Sequence, residues 1–314
     1  MLIVNHKGRK VKITYRNDVI FKQTLGKNDK ESRELLKFVV EAVTGKKYRE
    51  LRVTNTESLG KFVLNKRCFL DIKAVDEHGR TVNIEMQQSD INEYEYKRFQ
   101  LYGYRSIGEN EMAGDDYRGI QTVDQIIFTT SRLNNQLVTE YKQREKSGKT
   151  MPYNLASFYF ISLPEIEKIM LEKKRTHEAL TDIEMLSYIY QKEVDDDIIS
   201  VSDERQKRMI TLMNKKFNEA TSQEEILDEA KEAAYYDSWL EAQIETSVNR
   251  GRDEGLVEGR LEGIKHMIIN YAEKIFNEDI RDWLDLLNDK QLEIIEDNIF
   301  KVENINELKK MIDK

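Results

Sequence analysis

The sequence predicts a mixed α/β domain followed by a mainly α-helical region, and three observations carry that prediction. Apolar residues recur at helical spacing over 31–44, β-branched and aromatic runs follow to about residue 163, and beyond Pro164 the strand signal gives way to helical spacing.

The elements follow in order. In ESRELLKFVVEAVT, residues 31–44, Leu35, Leu36, Val39, Val40 and Val43 fall on one helical face, with Gly45 as the stop. Strands are predicted at about 50–56, 68–75 and 80–88, the last two joined by the polar DEHG. An aromatic-rich helix is predicted over about 92–112, and VDQIIFT (123–129) and LASFYFISL (155–163) read as buried strands. The division expected is an α/β domain over 1–164, a helical region over 165–250, and a glycine-spaced helical linker with C-terminal helices over 251–314.

In the helical part, Ser222 with Glu225 suggests a capping box, and Ile226, Ala230, Ala233, Leu240, Ile244 and Val248 trace one stripe. Asp195, Asp196 and Asp197 read as a solvated loop between helices rather than a metal site. Gly251, Gly255, Gly259 and Gly263 repeat every four residues. Each costs a helix about 0.8–1 kcal/mol relative to alanine, and ion pairs at about 0.2–0.5 kcal/mol each do not recover it. The segment should be a frayed helix or one approached closely by another helix, with self-association through the C-terminal helices as the expected use.

Composition excludes several classes. In 314 residues, 39% are hydrophobic and 34% charged, Cys68 is the sole cysteine, and the four histidines are scattered. A disulfide fold, a cysteine zinc site and an HExxH protease are thereby disfavoured. No apolar run approaches membrane-spanning length, and MLIVNHKGRK has too short an apolar stretch for a signal peptide, so a cytoplasmic protein is expected. The net charge of −8 hides an asymmetry, since residues 1–150 carry a net +7. A basic half joined to an acidic half suits contact with a polyanion.

The chemistry concentrates in FLDIKAVDEHGRTVNIEMQQ, residues 69–88. Alternation puts Leu70, Ile72, Ala74, Val82, Ile84 and Met86 on one face, and Asp71, Lys73, Asn83, Glu85 and Gln87 on the other. With the turn centred on His78, Asp71 falls opposite Glu85, and two opposed carboxylates suit a hard divalent cation such as Mg²⁺. A polar, solvent-exposed sheet face is the ordinary alternative.

Asp71 followed by Glu85-Met86-Gln87 resembles the signature of the PD-(D/E)XK nuclease superfamily, with Gln87 in the lysine position and Leu70 where proline is usual. YRNDVIFKQTLGKND, YKRFQLYGYRS, GDDYRGIQTVDQIIF and the Glu/Gly/Arg repeat near the C-terminus narrow the resemblance to the Rpn family of recombination-promoting nucleases, or transposases. The resemblance implies a restriction-endonuclease-like mixed sheet flanked by helices and a Mg²⁺-dependent DNA endonuclease. It implies Asp71 and Glu85 as metal ligands, Gln87 as the group that positions the nucleophile, and Asp18 and Lys22 as a family motif of undefined role. Asp18 could also simply cap a short helix. Lys73, Lys97 and Arg98 are candidates for DNA contact, with Lys73 or Lys97 replacing the lost lysine charge. DNA would be held mainly through its backbone. The alternative is a degenerate nuclease fold that binds DNA or protein without cutting.

Overall fold

The computed structural model describes residues 1–54, 71–109, 117–192, 201 and 203–312. Cys68, Leu70, the Gly114-Asp115-Asp116 segment and Asp195–Asp197 lie outside the described residues. The chain packs as two compact units, Met1–Asp237 and Ser238–Lys314.

The first unit opens with a hairpin, β1 (Leu2–His6) and β2 (Arg9–Ile13). Helices α1 (Asp18–Leu25) and α2 (Lys30–Thr44) follow, then strands β3 (Leu51–Thr54), β4 (Ile72–Asp76) and β5 (Thr81–Gln87). Helix α3 (Glu93–Gly108) leads to β6 (Val123–Thr129), β7 (Val138–Tyr141) and β8 (Ala156–Ser162). Strands β3 to β8 form one mixed sheet in the order β3-β4-β5-β6-β8-β7, with β5, β6 and β8 mutually parallel. The hairpin and edge strand β7 were not anticipated, and α1 was anticipated only as a short helix that Asp18 could cap. In β2 the exposed Lys10 and Lys12 alternate with the buried Val11 and Ile13, a period-2 pattern only four residues long.

Sequence chemistry explains the helix ends. Asp29 caps α2 by accepting from the Glu31 and Ser32 amides at 3.0 Å each, and Gly45 closes it at φ 68°. The buried stripe Leu35, Leu36, Val39, Val40 and Val43 joins Ile72, Ala74, Val82, Ile84, Ile126 and Phe128 in one core. Each of the Val, Leu, Ile and Phe side chains among them contributes about 1.5–3 kcal/mol when fully buried. The opposite sheet face meets α3, where Phe99 packs on Ile127, Phe158 and Phe160.

Helices α4 (Ile166–Thr176), α5 (Asp182–Lys192), α6 (Glu204–Thr221) and the first turns of α7 (Glu224–Tyr271) belong to this unit. Met185, Leu186, Met213, Phe217 and Ala230 enter the main core, so packing continues past the boundary placed at residue 164. Ser222 makes no capping box: it closes α6, and its hydroxyl donates to the Glu219 carbonyl at 2.9 Å. Of the predicted stripe in α7, Ala230 is buried, Ile226 and Ala233 are half-buried, and Leu240 and Val248 are exposed; Ala234, outside that stripe, is buried.

The second unit holds the rest of α7, α8 (Arg281–Leu284), α9 (Asp289–Asn298) and α10 (Ile305–Ile312). Ile264, Ile268, Leu284, Leu292, Ile295 and Ile305 form its core. All four spaced glycines lie inside α7, and a Cβ built on any of them meets nothing within 4 Å. No close helix approach among the described residues requires them.

Candidate active site

A turn sets the geometry. The Asp76 carboxylate accepts from the His78 and Arg80 amides at 2.9 and 2.8 Å and from the Arg80 guanidinium at 2.5 Å. Gly79 supplies the left-handed residue at φ 81°. This locks the pairing Ile72↔Ile84, Lys73↔Asn83 and Ala74↔Val82, the register that a turn centred on His78 predicts. One step further along that register brings Asp71 against Glu85. The Asp71 carboxylate also accepts the Met86 amide at 2.8 Å, which aims it at β5.

The polar face is not an open surface. Helix α3 covers it: Asn83 is fully buried and donates to Ser106 at 2.9 Å and Gln125 at 2.8 Å. Glu85 is only 5% exposed, and its Oε1 has no hydrogen-bond donor among the described residues. Burial, then the neighbouring Asp71 charge, pushes the Glu85 carboxyl well above the usual carboxylate range. Asp71 is pushed up to about 6 by burial and by the Asp18 charge, against the pull of Lys22.

Helix α1 delivers two more groups. Asn17, rather than Asp18, caps it, with Oδ1 accepting from the Ile20 amide at 3.3 Å, and the Asn17 amide is anchored to the Ala230 carbonyl at 3.0 Å. Asp18 and Lys22 stand one turn apart, so the Lys22 ammonium reaches Asp18 at 2.9 Å and Asp71 at 3.3 Å. Burial works against its charge, but Asp71 and Asp18 outweigh it and raise the Lys22 pKa.

On the other side, Gln87 accepts a hydrogen bond from Arg98 of α3 at 2.6 Å and donates to Ser89. Arg98 also pairs with Glu95 at 2.7 Å, and its charge acts on Glu85. The two lysines considered as replacement charges are engaged elsewhere. Lys73 is bound to Glu109 at 2.5 Å, and Lys97 pairs with Glu93 on the exposed side of α3. The cations beside the carboxylates are Lys22 and Arg98. The sequence reading named Arg98 only as a candidate for DNA contact; its bond to Gln87 and its charge beside Glu85 come from how α3 docks on the sheet.

Among the described residues no group of three or more His, Cys, Asp or Glu side chains is placed to hold a metal. The Asp71 and Glu85 carboxyls, close enough for the charge of one to act on the other, and with a Glu85 oxygen that lacks a donor, nonetheless fit a hard divalent cation that takes its other ligands from water and phosphate. No described helix is long and apolar enough to cross a membrane.

Comparison with known proteins adds one finding. A family model described as PD-(D/E)XK nuclease family transposase matches residues 15–247. No curated protein and no solved structure matches the chain. The matched segment holds α1, the β4–β5 hairpin, α3 and the whole mixed sheet, and by it the chain belongs to the PD-(D/E)XK nuclease family transposases.

Proposed function

We propose that the chain is an endonuclease that hydrolyses DNA phosphodiester bonds with a divalent cation, Mg²⁺ by preference. The observation that supports this most is the buried Glu85 carboxylate facing Asp71 with an oxygen that nothing in the described protein satisfies. A buried pair of like charges is costly unless a cation or proton joins it. Asp71 and Glu85 would hold the cation, which when bound polarises the phosphate and acidifies a water.

The other side chains have distinct tasks. Lys22 offsets the charge of Asp18 and Asp71 and keeps their carboxylates oriented. The Gln87 amide, its carbonyl fixed by Arg98, positions the nucleophilic water by hydrogen bonding. Arg98 brings the fixed positive charge that a glutamine lacks, and with it the means to stabilise charge developing on the phosphate. Lys97 and Arg98 contact the DNA backbone, whereas the Glu109 pairing gives Lys73 a structural role. The setting is the cytoplasm.

Plasmid nicking in Mg²⁺ tests the reading. Asp71→Ala should abolish nicking while DNA binding persists. A wild type that binds DNA but fails to cut it with every divalent cation tried would leave the non-cutting alternative standing. A variant that cuts at the wild-type rate would remove Asp71 from the site. Self-association through the C-terminal helices belongs to the same proposal. Light scattering should show a smaller particle when residues 251–314 are removed, by more than the deleted mass, and an unchanged stoichiometry would refute it.

A further inference from the structure

Helix α3 has a second flank, away from the carboxylates. There it forms, with β7 and β8, a groove of about 300 Å³ lined by Tyr96, Tyr104, Tyr141, Phe158, Phe160 and Lys142. The sheet register fixes where it lies. Glu85 pairs with Ile127 and Ile127 with Phe160, so Phe160 shares the sheet face and the row of Glu85, two strands across. Two strand spacings are about 10 Å. Gly103 lets the helix sit this close, because a Cβ there would stand 2.9 Å from the Phe158 ring.

The groove is aromatic but not closed. Tyr104 meets Phe158 at an interplanar angle of 79°, and Tyr141 meets Phe160 at 88°, so neither pair is stacked face to face. Tyr104 is 45% exposed and Tyr141 42%. Gln100 and Gln143 add amide groups to the lining.

A basic hairpin continues directly from it. Gly148, at φ 92°, turns the chain, the Glu145 amide donates to the Lys149 carbonyl at 3.0 Å, and Arg144 bridges to Thr150. Arg144, Lys146 and Lys149 are exposed and make no ion pair among the described residues. Aromatic faces that accept any base, amides that hydrogen-bond base edges and unpaired cations for phosphates are the components of a single-strand nucleic-acid site. Three such cations disfavour an apolar peptide as the occupant.

We infer that this groove is a second DNA-contacting site, which takes an unpaired nucleotide of the substrate with its base against Tyr104 and Tyr141 and its neighbouring phosphates on Arg144, Lys146 and Lys149. The inference rests on the reading of the chain as a DNA-cutting enzyme. It adds a preference for DNA with a frayed, flapped or otherwise unpaired stretch about two strand widths from the scissile phosphate.

The test is binding in EDTA, so that it is independent of cleavage. Full-length protein is titrated into labelled oligothymidylate and into a labelled duplex. Tyr104→Ala should weaken oligothymidylate binding about fivefold or more, the loss of one base–aromatic stack, and leave duplex binding within about twofold. Tyr104→Phe, which keeps the ring, should bind as wild type does. Equal binding by Tyr104→Ala, an equal loss on both DNAs, or no oligothymidylate binding by wild type would overturn the groove. If wild type still nicks plasmid in those cases, the nuclease reading stands alone. Tyr104-dependent binding without nicking would remove the nuclease reading and keep the groove as a nucleic-acid site.

Discussion

Asp124 on β6 and Glu85 on β5 are buried carboxylates on neighbouring parallel strands, yet their surroundings differ in kind. Asp124 is held by the Lys46 ammonium at 2.7 and 2.6 Å and by the Tyr48 hydroxyl at 3.2 Å. Its charge is matched on the spot, and Lys46 keeps contact with solvent at 37% side-chain exposure. Glu85 faces Asp71 and keeps an oxygen without a donor. A buried charge that is paired and hydrogen-bonded is structural, whereas one left unmatched destabilises the fold and persists only where it serves something else. The contrast supports the proposed role of Glu85 on grounds independent of any motif.

Glu85→Gln offers the largest way to break the comparison. It removes a charge that the fold does not satisfy, so thermal stability should hold or rise. Cleavage should fall by more than the about 10–100-fold typical of an outer-shell partner. Loss of melting temperature with cleavage intact would make Glu85 structural and reverse the contrast.

Asp124→Asn should do the opposite. It removes the charge that Lys46 pairs with and turns one of the two acceptor oxygens shared by Lys46 and Tyr48 into a donor, and should cost about 1–3 kcal/mol in denaturant unfolding, because hydrogen bonds to a charged group are lost. Cleavage measured well below the melting temperature should stay at the wild-type rate. A stable but inactive Asp124→Asn would place β6 in the chemistry.

Acid titration gives the smallest effect, and a sharp one because two aspartates have opposite signs. Asp71 is raised from 3.8 to about 6, so the native state binds the extra proton. Its contribution to stability is fullest below pH 3.8 and is lost as pH rises through about 6. Asp29 is lowered from 3.8 to about 2: burial opposes the shift, but the Ser32 amide and Lys216 outweigh it. Its stabilisation is present above pH 3.8 and lost as pH falls through about 2. Unfolding free energies of Asp71→Asn against wild type should therefore diverge most near neutrality, with the variant more stable. Asp29→Ala should be less stable by about 1 kcal/mol near neutrality, the worth of an N-cap, and converge with wild type near pH 2. Cleavage itself should increase as Asp71 ionises, and a rate flat from pH 5 to 7 would separate Asp71 from catalysis.

Much of this contrast was legible beforehand, and the illegible part has a cause. Alternation in residues 71–87 and the Asp76–Gly79 turn are local, so they gave the register that opposes Asp71 and Glu85. Nothing local says that α3 would cover that face. Asn83, Ser106 and Gln125 look like surface polar residues in sequence, and they become a buried hydrogen-bonded set only when the helix docks. Lys73 and Lys97 were attractive as charges near the site for the same reason: proximity along the chain was visible, and their engagement by Glu109 and Glu93 was not.

The sequence by itself determined most helices and strands between residues 31 and 163 and the β4–β5 register that opposes Asp71 and Glu85, because periodicity and turn chemistry act over a few residues. Tertiary structure alone decided which carboxylates stay unmatched and which cations stand beside them. Lys22 arrives from α1, 49 residues before Asp71, and Arg98 arrives from α3. Those placements depend on how helices pack on the two faces of the sheet. Packing energy is summed over side chains remote in sequence, and no local pattern records it.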